Sequence, residues 1–265
     1  METFEYRNKR VTLIDLSDLL QNATSDFEPA AHHITYLSAT DGLAMSEKWV
    51  GLGAEYWPQG QAWVAERVDL ATHSGTHIDA PAHYGPTASG APPRTIEHVP
   101  LRWCFGDGVV LNMTHKERGA AITVEDIENE LQRIGYALKP YDIVLIRTDV
   151  SQHFKERGYE FLHPGLTRAS TEYLVDRGVK LIGIDAWGLD RPLDVMAEEA
   201  RAGKSQFWEA HLLGREKEYL QIEKLSNLAE LPKPFGFTVM AFPAKIENAS
   251  AGWSRVVALF EEPLP

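Results

Sequence analysis

The residues best suited to chemistry stand together in His73-Ser74-Gly75-Thr76-His77-Ile78-Asp79-Ala80-Pro81-Ala82-His83. Three imidazoles and one carboxylate fall at odd positions, so an extended chain would carry all four side chains on one face. Neutral imidazole nitrogens and carboxylate oxygens are the donors that a divalent metal ion takes, and three of them on one ion leave a position open for water. A straight strand would spread residues 73 to 83 over about 33 Å, at roughly 3.3 Å per residue, whereas the ligands of one ion must converge within a few ångströms. The chain must therefore bend back on itself. Gly75, which tolerates a positive φ, and Pro81, whose φ is fixed, stand where it can do so. A helical reading with His73 and His77 one turn apart is weaker, because Gly75 lies between them, Thr76 and Ile78 are β-branched, and Pro81 would end the helix. The expectation is a strand that runs into a tight, ligand-bearing loop. A solitary histidine on a half-buried strand is usually an ordinary hydrogen-bonded residue, but four acid–base groups buried together without a cation would leave several unsatisfied.

This stretch resembles the H-x-G-T-H-x-D-x-P-x-H signature of the metal-dependent cyclase-like amidohydrolases, the family that includes bacterial kynurenine formamidase and isatin hydrolase. It matches that signature at every fixed position. The resemblance implies one α/β domain over residues 1–265 with a mixed, largely buried β-sheet or barrel-like core flanked by helices, of the swivelling β/β/α type. It implies His73, His77 and Asp79 as metal ligands and a divalent metal, zinc or manganese, at one or two ions per chain. It also implies that Asp79 bridges to a second ion held by a downstream His and Glu, for which His211 and Glu223 match in order and spacing. Taken alone that pair is weak, since Glu209, Glu216 and Glu218 are neighbouring acids. Isatin hydrolase-like members manage with one ion and lack the acidic partner, so Glu223 favours two; the chain length favours one, because formamidases of this type are shorter. The resemblance covers the signature, the His163-Pro-Gly-Leu segment, the Gly183-Ile-Asp185 strand end and the C-terminal third, and is poorest over residues 22–60 and 190–209.

The reaction expected is hydrolysis of the amide C–N bond of a small aryl formamide or cyclic amide. A bound divalent ion lowers the pKa of its water from about 15.7 toward about 7. Nitrogen leaves readily only when protonated, which requires a proton carrier with a pKa near the working pH. His83 is the candidate, as the resemblance also implies, because Pro81 could aim it across the water rather than at the ion; a further metal ligand is the alternative role. Trp63, Tyr84 and Trp187, with Trp57 behind them, are candidate aromatic walls for an aryl substrate. Lactone opening or ring closure is the second enzymatic reading. The third is a non-enzymatic, metal-stabilised binding protein, in which an uncoordinated His83 would have no use.

The elements that must position these residues can be placed along the 265-residue chain. Residues 11–16 read as a first strand. Residues 22–60 show little periodicity and carry Pro29, Gly42, Gly51, Gly53, Pro58 and Gly60, so they read as a long irregular segment, a lid or an exchanged arm, with His32 and His33 as plain loop residues. Residues 61–72 regain strand character and deliver the chain to His73; residues 84–100 return to loop. Residues 109–113 read as a strand, and Thr123-Val124-Glu125-Asp126 opens a helix with a stripe of Ile127, Leu131 and Ile134 that ends near Gly135. Residues 142–149 and 179–184 are buried-strand patterns, with a helix between them that begins after Thr167 and closes at Gly178, which suggests a βαβ unit. Asp185, at the end of the second strand, reads first as a carboxylate capping a turn near Ala186 and Trp187, with a direct catalytic role as the alternative. Residues 198–217 are helical in part, and 235–242 and 255–260 are the last strands.

Composition narrows the partners. A net charge of -12, with 44% hydrophobic and 24% charged residues, fits a water-facing protein and speaks against nucleic acid or an anionic membrane surface. Cys104 is the only cysteine, so neither a disulfide framework nor a thiolate cage is available, and it reads as a buried, inert thiol. No basic region followed by an apolar run opens the sequence, and a reducing cytoplasm is the expected setting. The partners expected are a small-molecule amide and other copies of the chain, as a homodimer or homotetramer.

Overall fold

The computed structural model describes residues 1–28 and 30–264. In chain order, β1 (Glu2–Tyr6) and β2 (Lys9–Asp15) are followed by β3 (His33–Leu37), α1 (Ala39–Val50) and β4 (Ala65–Asp69). Next come β5 (His77–Asp79), α2 (Pro81–Tyr84), β6 (Phe105–Asn112), β7 (Ala121–Ile122), α3 (Val124–Ile134), β8 (Ile143–Arg147), β9 (Gly165–Leu166), α4 (Arg168–Asp176) and β10 (Leu181–Ile184). The chain ends with α5 (Leu193–Arg201), α6 (Glu209–Leu213), β11 (Leu220–Glu223), β12 (Phe235–Met240), β13 (Ala251–Trp253) and β14 (Val257–Pro263).

Ten strands form one mixed sheet in the order β1-β2-β14-β12-β6-β8-β10-β11-β5-β13. Its centre, β6-β8-β10-β11, is parallel, and antiparallel strands flank it on both sides. The parallel strands are continuous aliphatic runs, Ile-Val-Leu-Ile in β8 and Leu-Ile-Gly-Ile in β10, because both faces of such a sheet are covered. Alternation divides them: Ile143 and Leu145 enter one core with Ile14, Ile78 and Ile222, while Val144 and Ile146 enter the other with Ile127 and Leu131 of α3 and Leu174 and Val175 of α4. The expected βαβ unit is present as β8-α4-β10, and β6-α3-β8 is a second one. Thr123 and Thr167 begin α3 and α4 with reciprocal capping boxes, and Gly135 closes α3 in the left-handed conformation. The mixed sheet of the expectation is thus realised, with β1 and β13 at its edges.

The segment read as irregular differs. Among its described residues, which exclude Pro29, it holds a 3-10 turn over Asn22–Phe27, strand β3 and the three-turn helix α1. Ser38 and Asp41 cap α1 reciprocally and Gly51 ends it at φ 72. The helix buries only Gly42 and Ser46, so it has no apolar stripe to betray it. Helix packing here needs Gly42, since a Cβ at that position would stand 1.9 Å from the Trp63 carbonyl oxygen. Strand β4 does deliver the chain to His73, but it pairs with β3 in a small arm rather than with the central sheet. Trp63 stacks at 6.1 Å on Trp49 and meets Trp57 edge-on at 5.4 Å within that arm. Strands β1, β11 and β13 were also not foreseen: β1 is exposed throughout and the other two are too short to show a period.

The central packing predicts its own sensitivity. Leu145 is fully buried between β6 and β10, and Leu145→Ala should lower unfolding free energy by about 2–5 kcal/mol. Urea denaturation followed by far-ultraviolet circular dichroism measures it, and a loss below about 1 kcal/mol would show that this core collapses around the gap.

Candidate metal centre

The sheet itself assembles the centre. In β5, Ile78 points into the core on one face, so His77 and Asp79 point to the other. Antiparallel pairing sets Glu223 directly opposite His77 and Gln221 opposite Asp79, which brings two carboxylates 144 positions apart in sequence into the same few ångströms.

 Strand register rather than nearness in sequence makes the two carboxylates neighbours. Glu223 ends β11 and Asp185 follows β10, so the centre lies beyond the carboxyl ends of parallel strands, where open α/β sheets place their ligands.

The remaining donors come from turns around this pair. Gly75 at φ 62 bends the chain between His73 and His77, and Pro81 begins the single-turn helix α2 that carries His83. His83 therefore sits on a helical turn rather than in the tight loop expected. His211 arrives on α6, whose position Asp190 fixes: its carboxylate accepts from Ala210 N at 2.8 Å, from His211 N at 3.0 Å and from His211 Nδ1 at 2.5 Å.

These side chains converge on Asp79. His73 Nδ1 lies 2.8 Å and His77 Nε2 3.2 Å from Oδ1; His211 Nε2 lies 3.7 Å and His83 Nε2 4.0 Å from Oδ2. Glu223 stands 3.7 Å from His77 Nε2 and 3.5 Å from His211 Nε2. Three of the imidazoles are oriented from behind: His77 Nδ1 donates to the Gly75 carbonyl at 2.8 Å, His211 Nδ1 to Asp190, and His73 Nε2 meets Ser250 Oγ at 3.0 Å. This leaves His77 Nε2 and His211 Nε2 turned toward the carboxylates, available to a metal in place of a proton, the arrangement that metal-binding histidines show. Both Asp79 oxygens and His77 Nε2 are buried without a hydrogen-bond partner. Orphaned donors of this kind, about 3 Å apart, fit a divalent cation with bonds of about 2.0–2.3 Å. Two sets have donor atoms within 4.8 Å of one another, His73-Asp79-His83 and His77-Asp79-Glu223.

Electrostatics agree with the geometry. Burial opposes charge on Asp79, yet His77 and the other imidazoles hold it well below the usual carboxylate range. Burial also opposes charge on His211, but the Asp190 and Asp79 carboxylates raise it to about 10. Burial and the nearby Asp79 raise Glu223. Burial lowers His83 to about 4, against the pull of Asp79.

A cavity of about 260 Å³ opens over this cluster. Trp187, Leu193, Met196 and Trp208 form its apolar walls, with His83, His211 and Glu223 at its floor. Of the three aromatic residues expected there, Trp187 lines the cavity. Trp63 does not, because it is stacked within the arm, and Tyr84 does not, because it is buried behind the centre against Tyr219 at 5.4 Å. Trp208 takes a wall position instead, stacked on His211 at 4.0 Å. Sequence reasoning missed it, together with Asp190 and Ser250; the only signal for Trp208 was its place three residues before His211. Asp185 caps a turn, but the one that follows β8 rather than the expected one near Ala186 and Trp187, accepting from Thr148 N, Thr148 Oγ1 and Asp149 N; Cys104 is buried, its thiol pushed up to about 12 by burial.

Asp190→Ala would leave two backbone amides and one imidazole N–H without their acceptor. At about 1–3 kcal/mol for each unsatisfied buried group, the variant should unfold at clearly lower urea concentration than the parent, and an unchanged midpoint would mean that other acceptors serve these groups.

Comparison with known proteins follows the same lines. Among curated proteins, kynurenine formamidase from Paracidovorax citrulli is 28% identical over 210 residues, 76% of this chain and 86% of that protein. The corresponding protein of Bacillus mycoides is 26% identical over 128 residues, 48% of this chain, and the match spans about half (53%) of that relative's length. Among solved structures, isatin hydrolase A from Ralstonia solanacearum superposes with a TM-score of 0.74 at 23% identity, covering 94% of this chain and 92% of the other. Isatin hydrolase A from Labrenzia aggregata bound to benzyl benzoate gives 0.71 at 24% identity, covering 95% and 94%. At such identities the structural likeness is one of fold. No helix among the described residues is long and apolar enough to cross a membrane. Residues 14–191, which include the whole His73–His83 signature, match the family described as Putative cyclase, and the chain belongs to that family.

Proposed function

We propose that this protein is a metal-dependent amidohydrolase that cleaves the C–N bond of a small aryl formamide or cyclic amide. The observation that carries the reading is the buried Asp79 carboxylate, with neither oxygen hydrogen-bonded, ringed by four imidazoles and Glu223 beneath an aromatic-walled cavity. The relatives named kynurenine formamidase and the fold shared with isatin hydrolases support the same class of substrate.

His73, His77 and Asp79 would hold one zinc or manganese ion, and Asp79, His211 and Glu223 a second. A divalent cation held there supplies hydroxide at neutral pH and a Lewis acid for the carbonyl oxygen. Trp187, Trp208, Leu193 and Met196 hold the flat apolar part of the substrate and exclude water from it. His83 stands at the cavity floor, 4.0 Å from Asp79 Oδ2; burial keeps its imidazole neutral, so it would take a proton from the attacking water and pass it to the departing nitrogen. Asp190, Ser250 and the Gly75 carbonyl keep His211, His73 and His77 turned inward. A cytoplasmic setting and self-association are part of the proposal; exposed Tyr36, Trp49 and Tyr56 on the arm give self-association its surface.

Metal content by elemental analysis and turnover on N-formylkynurenine, isatin and simple lactams test the reading together. Asp79→Ala should lose bound metal and activity. His83→Ala should keep near-normal metal content while kcat falls on the order of 10²-fold or more. Loss of metal in His83→Ala would make His83 a ligand instead, and a metal-loaded parent inert toward every amide would defeat the enzymatic reading.

A further inference from the structure

The side chain of Lys224 is almost completely buried, although it follows Glu223 directly and belongs to no strand. Its backbone takes the left-handed conformation at φ 59, a costly choice for a residue other than glycine, and the chain is held there by Lys224 N donating to Ala186 O at 2.9 Å. Its ammonium donates to the His73 carbonyl at 2.9 Å and to Glu28 Oε2. Glu28, buried as well, uses its other oxygen to accept from Gly75 N at 2.9 Å. Thr76 completes the fastening, donating from Oγ1 to the Lys224 carbonyl at 2.6 Å and accepting from Asp18 N at 2.8 Å. The backbone of residues 73–76 is thus gripped from beneath by these groups, and Lys224 also lines the cavity, its ammonium 5.5 Å from the centre of the Trp187 ring.

From this geometry we infer that Glu28 and Lys224 act as a positioning pair for the metal centre, fixing the His73–Gly75 backbone so that His73 faces Asp79, and neutralising one another beside the cation. The inference rests on the metal reading above. Two effects follow from removing the Glu28 charge. The Gly75 amide and the His73 carbonyl lose part of their restraint, so His73 is less well aimed. A buried ammonium also remains unpaired close to the site of a dication, which like-charge repulsion disfavours. Glu28 comes from a segment 45 positions before His73, in the part of the chain where the sequence offers no motif.

The test is the affinity of the metal-free protein for Zn²⁺ and Mn²⁺, measured by competition with a chromophoric chelator, alongside the melting temperature of the metal-free protein. Glu28→Gln should weaken metal binding on the order of 10–100-fold, the size usual for groups that orient metal ligands. The double variant Glu28→Gln with Lys224→Met, which removes both charges, should recover most of that loss. A purely structural pair would lower the melting temperature of the metal-free protein and leave metal affinity within about two-fold, which would overturn the inference. Equal metal affinity in the single and double variants would also overturn its electrostatic half. If the parent protein binds neither ion, the metal reading itself fails; if the parent binds and Glu28→Gln binds equally well, only this inference fails.

Discussion

Everything in this fold is arranged around a carboxylate that has been taken out of water without being given a hydrogen bond. Asp79 is fully buried, and both of its oxygens lack hydrogen-bond partners while imidazoles approach from several sides. A charge in that condition is costly unless a positive partner stands close, and protonated histidines or a cation are the partners the surroundings permit. Where histidine carries the proton, as the upward shift of His211 shows, the same lone pairs become available once a metal takes the proton's place. The centre is therefore a single electrostatic unit, and the roles of its members cannot be separated from Asp79.

The sheet explains why such a unit can be built at all. Parallel strands at the centre end on the same side, and an antiparallel strand laid beside β11 brings the signature to their ends. Register then does what nearness in sequence could not, placing Glu223 opposite His77. Rigid β-structure supplies His77, Asp79 and Glu223, while turns supply His73, His83 and His211. Each turn-borne residue has a separate fastening: Lys224 and Ser250 for His73, Pro81 and α2 for His83, Asp190 for His211.

How much of this was legible follows from the range of the forces involved. His73, His77, Asp79 and His83 could be read because eleven consecutive residues hold all four of them and the bends between them. The β8-α4-β10 unit could be read because aliphatic runs and capping residues are local signals. His211 and Glu223 were reachable through resemblance, since nothing in their immediate neighbours sets them apart from other histidines and acids. Asp190, Ser250, Glu28 and Lys224 act across folds of the chain, and their side chains are of types that usually face water. Helix α1 escaped for the opposite reason: Ser38 and Asp41 cap it locally, but no apolar stripe accompanies them because it buries only Gly42 and Ser46.

The aromatic walls carry the same lesson about distance. Trp63, nearest upstream of the signature, is drawn into the arm by Trp49 and Trp57, and Tyr84, directly after His83, is drawn into the core by Tyr219. Tyr84, adjacent to His83 in sequence, is carried off by the periodicity of α2, since neighbouring positions on a helical turn do not share a face. Trp187 and Trp208 reach the cavity because each follows a strand end or precedes a helix at the rim of the sheet. Trp208 does so at φ 62, an unusual conformation for a bulky residue, and its ring lies flat on His211. Stacking on His211 and edge-on contact with His83 offset that backbone cost, so the wall of the cavity and the orientation of its floor are set by one side chain.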